Sequence, residues 1–167
     1  YSYGSIINGV NLDTFPKDEW RVIYDYLKTK HFSEIGLDEA KITHVWTQSK
    51  KISKILSKTC YIDNIVSEYD EMVGKVDAII LARDDESNHL TMAKPFLDNG
   101  LNVFIDKPLT LDIKSLEYFS KYLLNGQLMS CSGFRYSSEL DLLRIDSNIG
   151  NVKLITGTVI NDWERYG

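Results

Sequence analysis

Hydrophobic positions along the chain follow two spacings, one typical of helices and the other typical of strands. Where apolar residues recur every three or four positions, we predict helices. These segments are 18–28, 50–58, 68–73, 89–97, 112–124 and 137–145. Between them, β-rich or uninterrupted apolar runs predict strands. They are the segments 41–46, 64–66, 76–82, 102–105, 127–131 and 152–161.

Strands that alternate with helices in this way are typical of βαβ units. The predicted fold class is therefore α/β, a doubly wound parallel sheet with helices on both faces. The run at 76–82 has the pattern of a strand that is buried on both faces. Ser67 is predicted to cap the helix at 68–73, and the segment 5–10 is predicted to be an apolar turn.

Ligands of such sheets bind beyond the carboxyl ends of the strands. There, Asp106, Lys107 and Pro108 follow the predicted strand at 102–105. The proline fixes the backbone after the lysine, whose ammonium group could donate to a substrate hydroxyl or steady a phosphate. Asp106 offers a carboxylate to a hydroxyl or to the ammonium. A plain turn with a solvated lysine fits the same residues, and spacing alone leaves both interpretations open.

Three other strand ends carry polar side chains. Asp84 and His89 lie in the loop and first helical turn after the strand at 76–82, where free N–H groups can receive an anionic cofactor. Thr47 stands where dinucleotide-binding folds place an acid for the ribose, and the lack of an acid makes NADP compatible as well as NAD. Arg135 follows a glycine and could hold a hydroxyl or carboxylate. A capped helix, a basic surface and a β-turn are the simpler interpretations of these three segments.

Composition narrows the classes of function. With 43% hydrophobic and 26% charged residues, the 167-residue chain is an ordinary globular one. Its net charge of −5 and the lack of a basic run argue against nucleic acid or an anionic membrane as partner. Two cysteines do not make a disulfide framework, which favours the cytoplasm. The scattered histidines do not have zinc-site spacing, so we expect no metal.

The segment 76–109 resembles the glucose–fructose oxidoreductase and inositol dehydrogenase family, Gfo/Idh/MocA. The resemblance is carried by the apolar strand, by Asp84 and His89, and by the Asp-Lys-Pro sequence at 106–108. The family has Glu-Lys-Pro there, and a subset has aspartate. The sequence Ser-Gly-Phe-Arg-Tyr at 132–136 is similar to the family's Gly-Phe-x-Arg segment at the domain crossover. The resemblance covers most of 41–167.

The resemblance implies an enzyme that uses NAD or NADP to oxidise or reduce a sugar, inositol or related small molecule. Lys107 would be the catalytic residue, hydrogen-bonded to the reacting hydroxyl, and Arg135 would lie near nicotinamide and substrate. The implied cofactor-binding residues are Thr47, Ala82, Asp84, His89, Asp106, Lys107, Pro108 and Arg135. An NAD(P)-binding Rossmann-like domain would span 1–131. The α+β substrate domain would begin at 132–167, and the full-length protein would be a homo-oligomer.

Two features of the family are expected outside this chain. Residues 1–10 resemble the helix that follows the first strand and its Gly-rich turn, so we expect that strand to precede Tyr1. A histidine of the substrate domain is expected just after Gly167. The chain would then be a piece of a protein about twice as long, inactive by itself. A non-catalytic nucleotide- or sugar-binding module or regulatory remnant is the alternative, and NAD-dependent glycoside cleavage is a third interpretation.

Overall fold

The computed structural model describes residues 1–141, 150–151, 153–154 and 156. The chain divides into two compact units, Tyr1–Cys131 and Ser132–Gly167. The helices of the first unit are α1 (Ser2–Asn8), α2 (Arg21–Leu27), α3 (Lys50–Thr59), α4 (His89–Asp98) and α5 (Ile113–Leu124). Its strands are β1 (His44–Val45), β2 (Asn64–Ile65), β3 (Ala78–Leu81), β4 (Asn102–Ile105) and β5 (Leu128–Met129).

Every strand pair among the described residues is parallel, as the alternation of strands and helices predicts. β1 pairs with β2, and β4 lies between β3 and β5 in a second sheet. Leu81 is paired with Ile105, so β3 and β4 end side by side. Within the described residues, no strand pairing joins the two sheets.

Side-chain caps explain where the two most regular helices begin. The Ser49 hydroxyl accepts a hydrogen bond from the N–H of Ile52 at the start of α3. A carboxylate oxygen of Asp112 accepts from the N–H of Ser115, at 2.8 Å, at the start of α5. Both caps satisfy backbone donors that lack partners in the first turn of a helix.

The main core lies between the second sheet and the helices α4 and α5. Ile105 of β4 and Phe119 of α5 are fully buried there, and Phe96 and Leu97 of α4 are nearly so. Burial of apolar area of this kind is the dominant stabilising contribution to a fold. A smaller cluster, formed by Val45, Cys60 and Ile62, lies beside the first sheet.

The prediction that the strand at 76–82 is buried on both faces is wrong for the described residues. Ile79 and Leu81 face the core, whereas Ala78 and Ile80 are exposed. The reason is that α4 and α5 cover one face of the second sheet. On the other face, Tyr3 of α1 lies against Phe104, with ring centroids 5.8 Å apart.

Two local predictions are corrected. Segment 68–73 holds a 3-10 helix, Tyr69–Met72, with Glu68 rather than Ser67 as its N-cap. The Glu71 carboxylate reaches back to the N–H groups of Glu68 and Ser67, at 2.8 and 3.1 Å, which sets this start. Most of the segment 5–10 belongs to helix α1 rather than to a turn.

The second unit is described only in part. Its described residues include the 3-10 helices Gly133–Tyr136 and Ser138–Leu140. The helix predicted at 137–145 therefore begins as a 3-10 turn, and its remainder from 142 lies outside the described residues. The strand predicted at 152–161 lies mostly outside them as well.

Candidate functional site

The carboxyl ends of β3 and β4 form one edge at which two predicted segments meet. The N–H of Asp106 donates to the carbonyl oxygen of Leu81 at 3.0 Å, which extends the pairing of the two strands by one residue. Ala82 and Asp106 therefore leave the sheet from neighbouring positions, and Lys107 follows directly. In parallel sheets this edge is where ligands bind.

A cavity of about 350 Å³ lies beyond the ends of β1 and β3. Its lining residues are Trp20, Gln48, Ala82, Arg83, Asp84 and Asp85. This volume falls within the range of roughly 300–1,000 Å³ that small-molecule sites occupy. The cavity therefore has the volume of a small-molecule site, and Ala82 and Asp84, which the sequence analysis assigns to a cofactor channel, both line it.

The charges on the cavity wall are partly neutralised by one ion pair. The Arg83 guanidinium binds the Asp85 carboxylate through two N–H groups, and Asn88 donates to the same carboxylate at 2.6 Å. The hydrogen bond from Arg83 contributes most, and together with the bond from Asn88 it holds the pKa of Asp85 well below its usual range. The same pair raises the pKa of Arg83. Since Asp84 is also on the wall, the lining carries one more negative charge than positive ones.

Asp106 and Lys107 form the second part of the site. The Asp106 carboxylate accepts from the Lys107 N–H at 2.9 Å, which fixes the turn from which the lysine side chain projects. Lys107 and Pro108 are exposed, and the peptide bond between them is cis. Lys107 thus lies on the surface next to the strand ends.

Tyr3 is a neighbour of this turn that the sequence analysis did not find. Burial raises the pKa of the Tyr3 phenol, and the charge of Asp106 and a hydrogen bond to it raise that pKa further. Tyr3 comes from the first turn of α1, more than a hundred residues from Asp106 in the chain. Trp20 of the cavity was missed for the same reason, because only long-range packing brings it to the strand ends.

His89 does not line the cavity. Its side chain is fully buried, and its two ring nitrogens face backbone carbonyl oxygens. Nδ1 lies 2.9 Å from the oxygen of Leu109, and Nε2 lies 3.1 Å from the oxygen of Arg83. The ring therefore touches the backbone of both parts of the site without reaching its surface.

Thr47 and Arg135 lie in different surroundings. The Thr47 hydroxyl donates to the carbonyl oxygen of Ser49 at 2.8 Å and lies 2.9 Å from the Ser53 hydroxyl, so it holds the turn before α3. Arg135 lies in the second unit, exposed, in the 3-10 helix Gly133–Tyr136. The Ser132 hydroxyl caps that helix by accepting from the Phe134 N–H at 3.3 Å.

In the described residues, no cluster of three or more His, Cys, Asp or Glu side chains has the arrangement of a metal site. Among the same residues, no helix combines the length and the apolar character needed to cross a membrane.

Parallel strands joined through helices, with a polar cavity at their carboxyl ends, define a dinucleotide-binding fold of the Rossmann type. A family model for the Gfo/Idh/MocA oxidoreductases, described as an oxidoreductase family with an NAD-binding Rossmann fold, matches residues 24–125. That match covers more than half of the sequence, and the chain belongs to this family. The predicted fold class, the family and the NAD(P) cofactor class are thereby confirmed.

Solved structures show the same fold. The scyllo-inositol dehydrogenase of Lactobacillus casei with bound NAD(H) and scyllo-inositol is 22% identical, with a TM-score of 0.56 over 69% of this chain. The myo-inositol 2-dehydrogenase of Lactobacillus plantarum is 17% identical, with a TM-score of 0.55 over 70% of the chain. The chain covers 36% of the length of each of these two proteins. A comparison with curated proteins finds no match.

Proposed function

We propose that this chain is the cofactor-binding part of an NAD(P)-dependent oxidoreductase that acts on an inositol, a sugar or a related polyol. The observation that carries the proposal is the place of Asp106, Lys107 and Pro108. They follow β4 at the sheet edge where β3 also ends, and the cavity at that edge is lined by the residues after β3. The inositol dehydrogenases that share the fold support this class of substrate.

Lys107 is the proposed catalytic residue. Its side chain would hydrogen-bond to the oxygen of the reacting hydroxyl or carbonyl. During reduction the Lys107 ammonium would give a proton to the carbonyl oxygen, and during oxidation the neutral Lys107 amine would take the proton of the hydroxyl. Asp106 holds the lysine backbone through its 2.9 Å hydrogen bond. The nicotinamide, when bound, supplies the hydride acceptor or donor.

The proposed cofactor contacts divide between the two parts of the site. Ala82 and Asp84 line the cavity, where the small side chain of Ala82 leaves room for a nucleotide. Asp106 and Pro108 would lie beside the nicotinamide. Thr47 would lie near the adenosine ribose, and Arg135 near the nicotinamide and the substrate.

The choice between NAD and NADP depends on the residues near the adenosine ribose. Its proposed neighbour is Thr47, which has no carboxylate to repel a 2′-phosphate, whereas Asp84 and Asp85 line the cavity after β3. We therefore propose that the site accepts NAD or NADP. We also propose that the full-length protein is a cytoplasmic homo-oligomer. Light scattering measures its oligomeric state, and fractionation of cells determines its location.

Titration of the full-length protein with NADH and NADPH, followed by nicotinamide fluorescence, tests the proposal. Saturable binding of at least one of the two cofactors is expected. Ala82→Trp fills the cavity and should weaken NADH binding about tenfold or more. Ala40→Trp, at an exposed loop residue away from the cavity lining, is the matched control. If neither cofactor binds saturably, the proposal fails.

A panel of inositols, sugars and their keto derivatives then tests the substrate class. NAD reduction with at least one cyclic polyol is expected. If the protein binds NADH but cleaves a glycoside without net change of the cofactor, the oxidoreductase assignment is wrong. If it binds NADH and turns over none of these compounds, a non-catalytic binding module replaces the enzyme.

A further inference from the structure

His89 is the one fully buried histidine among the described residues, and the proposed chemistry does not use it. It is the first residue of α4. Its two ring nitrogens contact carbonyl oxygens from segments that are far apart in sequence, those of Arg83 and Leu109. Arg83 belongs to the cavity wall, and Leu109 follows the Lys107–Pro108 pair.

The number of N–H groups on the imidazole ring determines how many of the two contacts are hydrogen bonds. A carbonyl oxygen only accepts, so each of the two contacts requires a proton on the ring nitrogen. A neutral ring has one N–H and donates to one of the carbonyls, and a protonated ring donates to both. In either form the buried ring fills the space between the two segments and keeps water out of it.

We propose that His89 is a positioning residue that fixes the Lys107 turn relative to the cavity wall. Nδ1 lies against the carbonyl of Leu109 and Nε2 against the carbonyl of Arg83, so the ring donates to one and packs against the other when neutral, and donates to both when protonated. Through these two contacts, the ring keeps Lys107, the proposed proton donor, in a fixed position relative to the cofactor cavity. The effect of this positioning on catalysis rests on the proposed function, whereas the positioning itself does not depend on it.

Three substitutions separate the two sides of the ring. The amide of asparagine reaches about as far as Nδ1, so His89→Asn retains a donor for Leu109. The longer side chain of glutamine reaches about as far as Nε2, so His89→Gln retains a donor for Arg83. His89→Phe keeps an aromatic ring of similar size and removes both donors.

Amide hydrogen exchange of the full-length variants, read in peptides that cover 83–88 and 106–111, tests the positioning. A lost hydrogen bond of this kind should accelerate exchange roughly fivefold to tenfold. We expect faster exchange at 83–88 in the asparagine variant, at 106–111 in the glutamine variant, and at both in the phenylalanine variant. Equal changes in both peptides for the asparagine and glutamine variants would overturn the proposal, since they would indicate a general loss of stability.

Kinetics provide the second measurement. The asparagine variant should retain more of the wild-type kcat, because Lys107 stays in place, and should bind NADH several-fold more weakly. The glutamine variant should show the reverse, near wild-type NADH binding with a lower kcat. If the wild-type protein binds neither NADH nor NADPH, the proposed function fails, while the exchange pattern still decides whether His89 positions the two segments. If the phenylalanine variant does not fold, the asparagine and glutamine pair gives the same test.

Discussion

The phenol of Tyr118 donates a hydrogen bond to the carboxylate of Asp98 at 2.6 Å, which ties α5 to the end of α4. Tyr122 donates to the same oxygen at 2.7 Å, and the Lys94 ammonium lies 2.9 Å from the other one. The hydrogen bond from Lys94 contributes most, and together the three bonds hold the pKa of Asp98 well below its usual range. Burial raises the pKa of Tyr118, and the hydrogen bond to Asp98 raises it further.

This cluster predicts an acid-dependent loss of stability. The pKa of Asp98 is lower in the folded chain than the value of about 3.9 of an unfolded one, so its ionisation stabilises the fold above that pH. The contribution is lost as the pH falls through the folded pKa. In urea unfolding of the full-length protein, Asp98→Asn should be less stable than wild type near neutral pH, and the two should converge in acid.

Asp38→Asn is the control for this experiment, because Asp38 is an exposed residue away from α4 and α5. It should follow the wild-type curve at every pH. A constant difference between wild type and Asp98→Asn from neutral to acid pH would contradict the assignment to ionisation of Asp98.

Gly4 is predicted to be essential for the packing of α1. A Cβ atom added to it would lie 2.8 Å from Sγ and 3.0 Å from Cβ of Cys60, which is closer than such atoms approach in folded proteins. Gly4→Ala should therefore lower the free energy of unfolding by about 1–3 kcal/mol, the usual cost of overpacking. Gly133→Ala is the matched control, since nothing lies within 4 Å of its added Cβ. Equal thermal midpoints for the two variants would show that α1 moves away at no cost.

Removal of the Lys107 ammonium should separate catalysis from binding. Lys107→Ala in the full-length enzyme should lower kcat about a hundredfold or more, the range for loss of a general acid or base. NADH affinity should change little, because Lys107 is not part of the cavity lining. Lys114→Ala, at another exposed lysine in the first turn of α5, should leave both quantities unchanged. A wild-type kcat in the Lys107 variant would remove this residue from the mechanism.

The two cysteines should differ in reactivity. Burial raises the pKa of the Cys60 thiol, and the side chain is fully enclosed next to the Ser5 hydroxyl at 3.7 Å. Since the thiolate is the reactive form, Cys60 should alkylate much more slowly than the half-buried Cys131. Peptide mapping after brief iodoacetamide treatment of the native protein measures both rates. Comparable labelling of the two would contradict the burial of Cys60.

The sequence predicts an element well where several local signals agree. The strand at 102–105 has the bounds that its apolar pattern gave, and α5 begins beside the Asp112 cap and ends at the Asn125-Gly126 turn. At 68–73 the pattern predicted the position but not the cap. There Glu71 competes with Ser67, and its longer side chain reaches the free N–H groups.

The site was predictable only in part. The Lys107 turn and the residues of the cavity wall after β3 follow from strand order, because parallel strands end at one edge. Whether His89 faces the cavity or the core depends on the rotation of α4, and its partners are backbone carbonyls that have no sequence signature. Tyr3 and Trp20 reach the strand ends through packing of remote segments, which no local pattern encodes.

The pairing of Leu81 with Ile105 also determines where the chain tolerates a change of length. Side chains alternate along a strand, so one residue inserted within β4 would turn Ile105 out of the core and displace Lys107 from Ala82. A residue inserted at Asn99 and Gly100, in the turn after α4, leaves the strand register unchanged. Reporter groups or extra loops therefore belong at the amino-terminal edge of this sheet, where natural length variation is also expected.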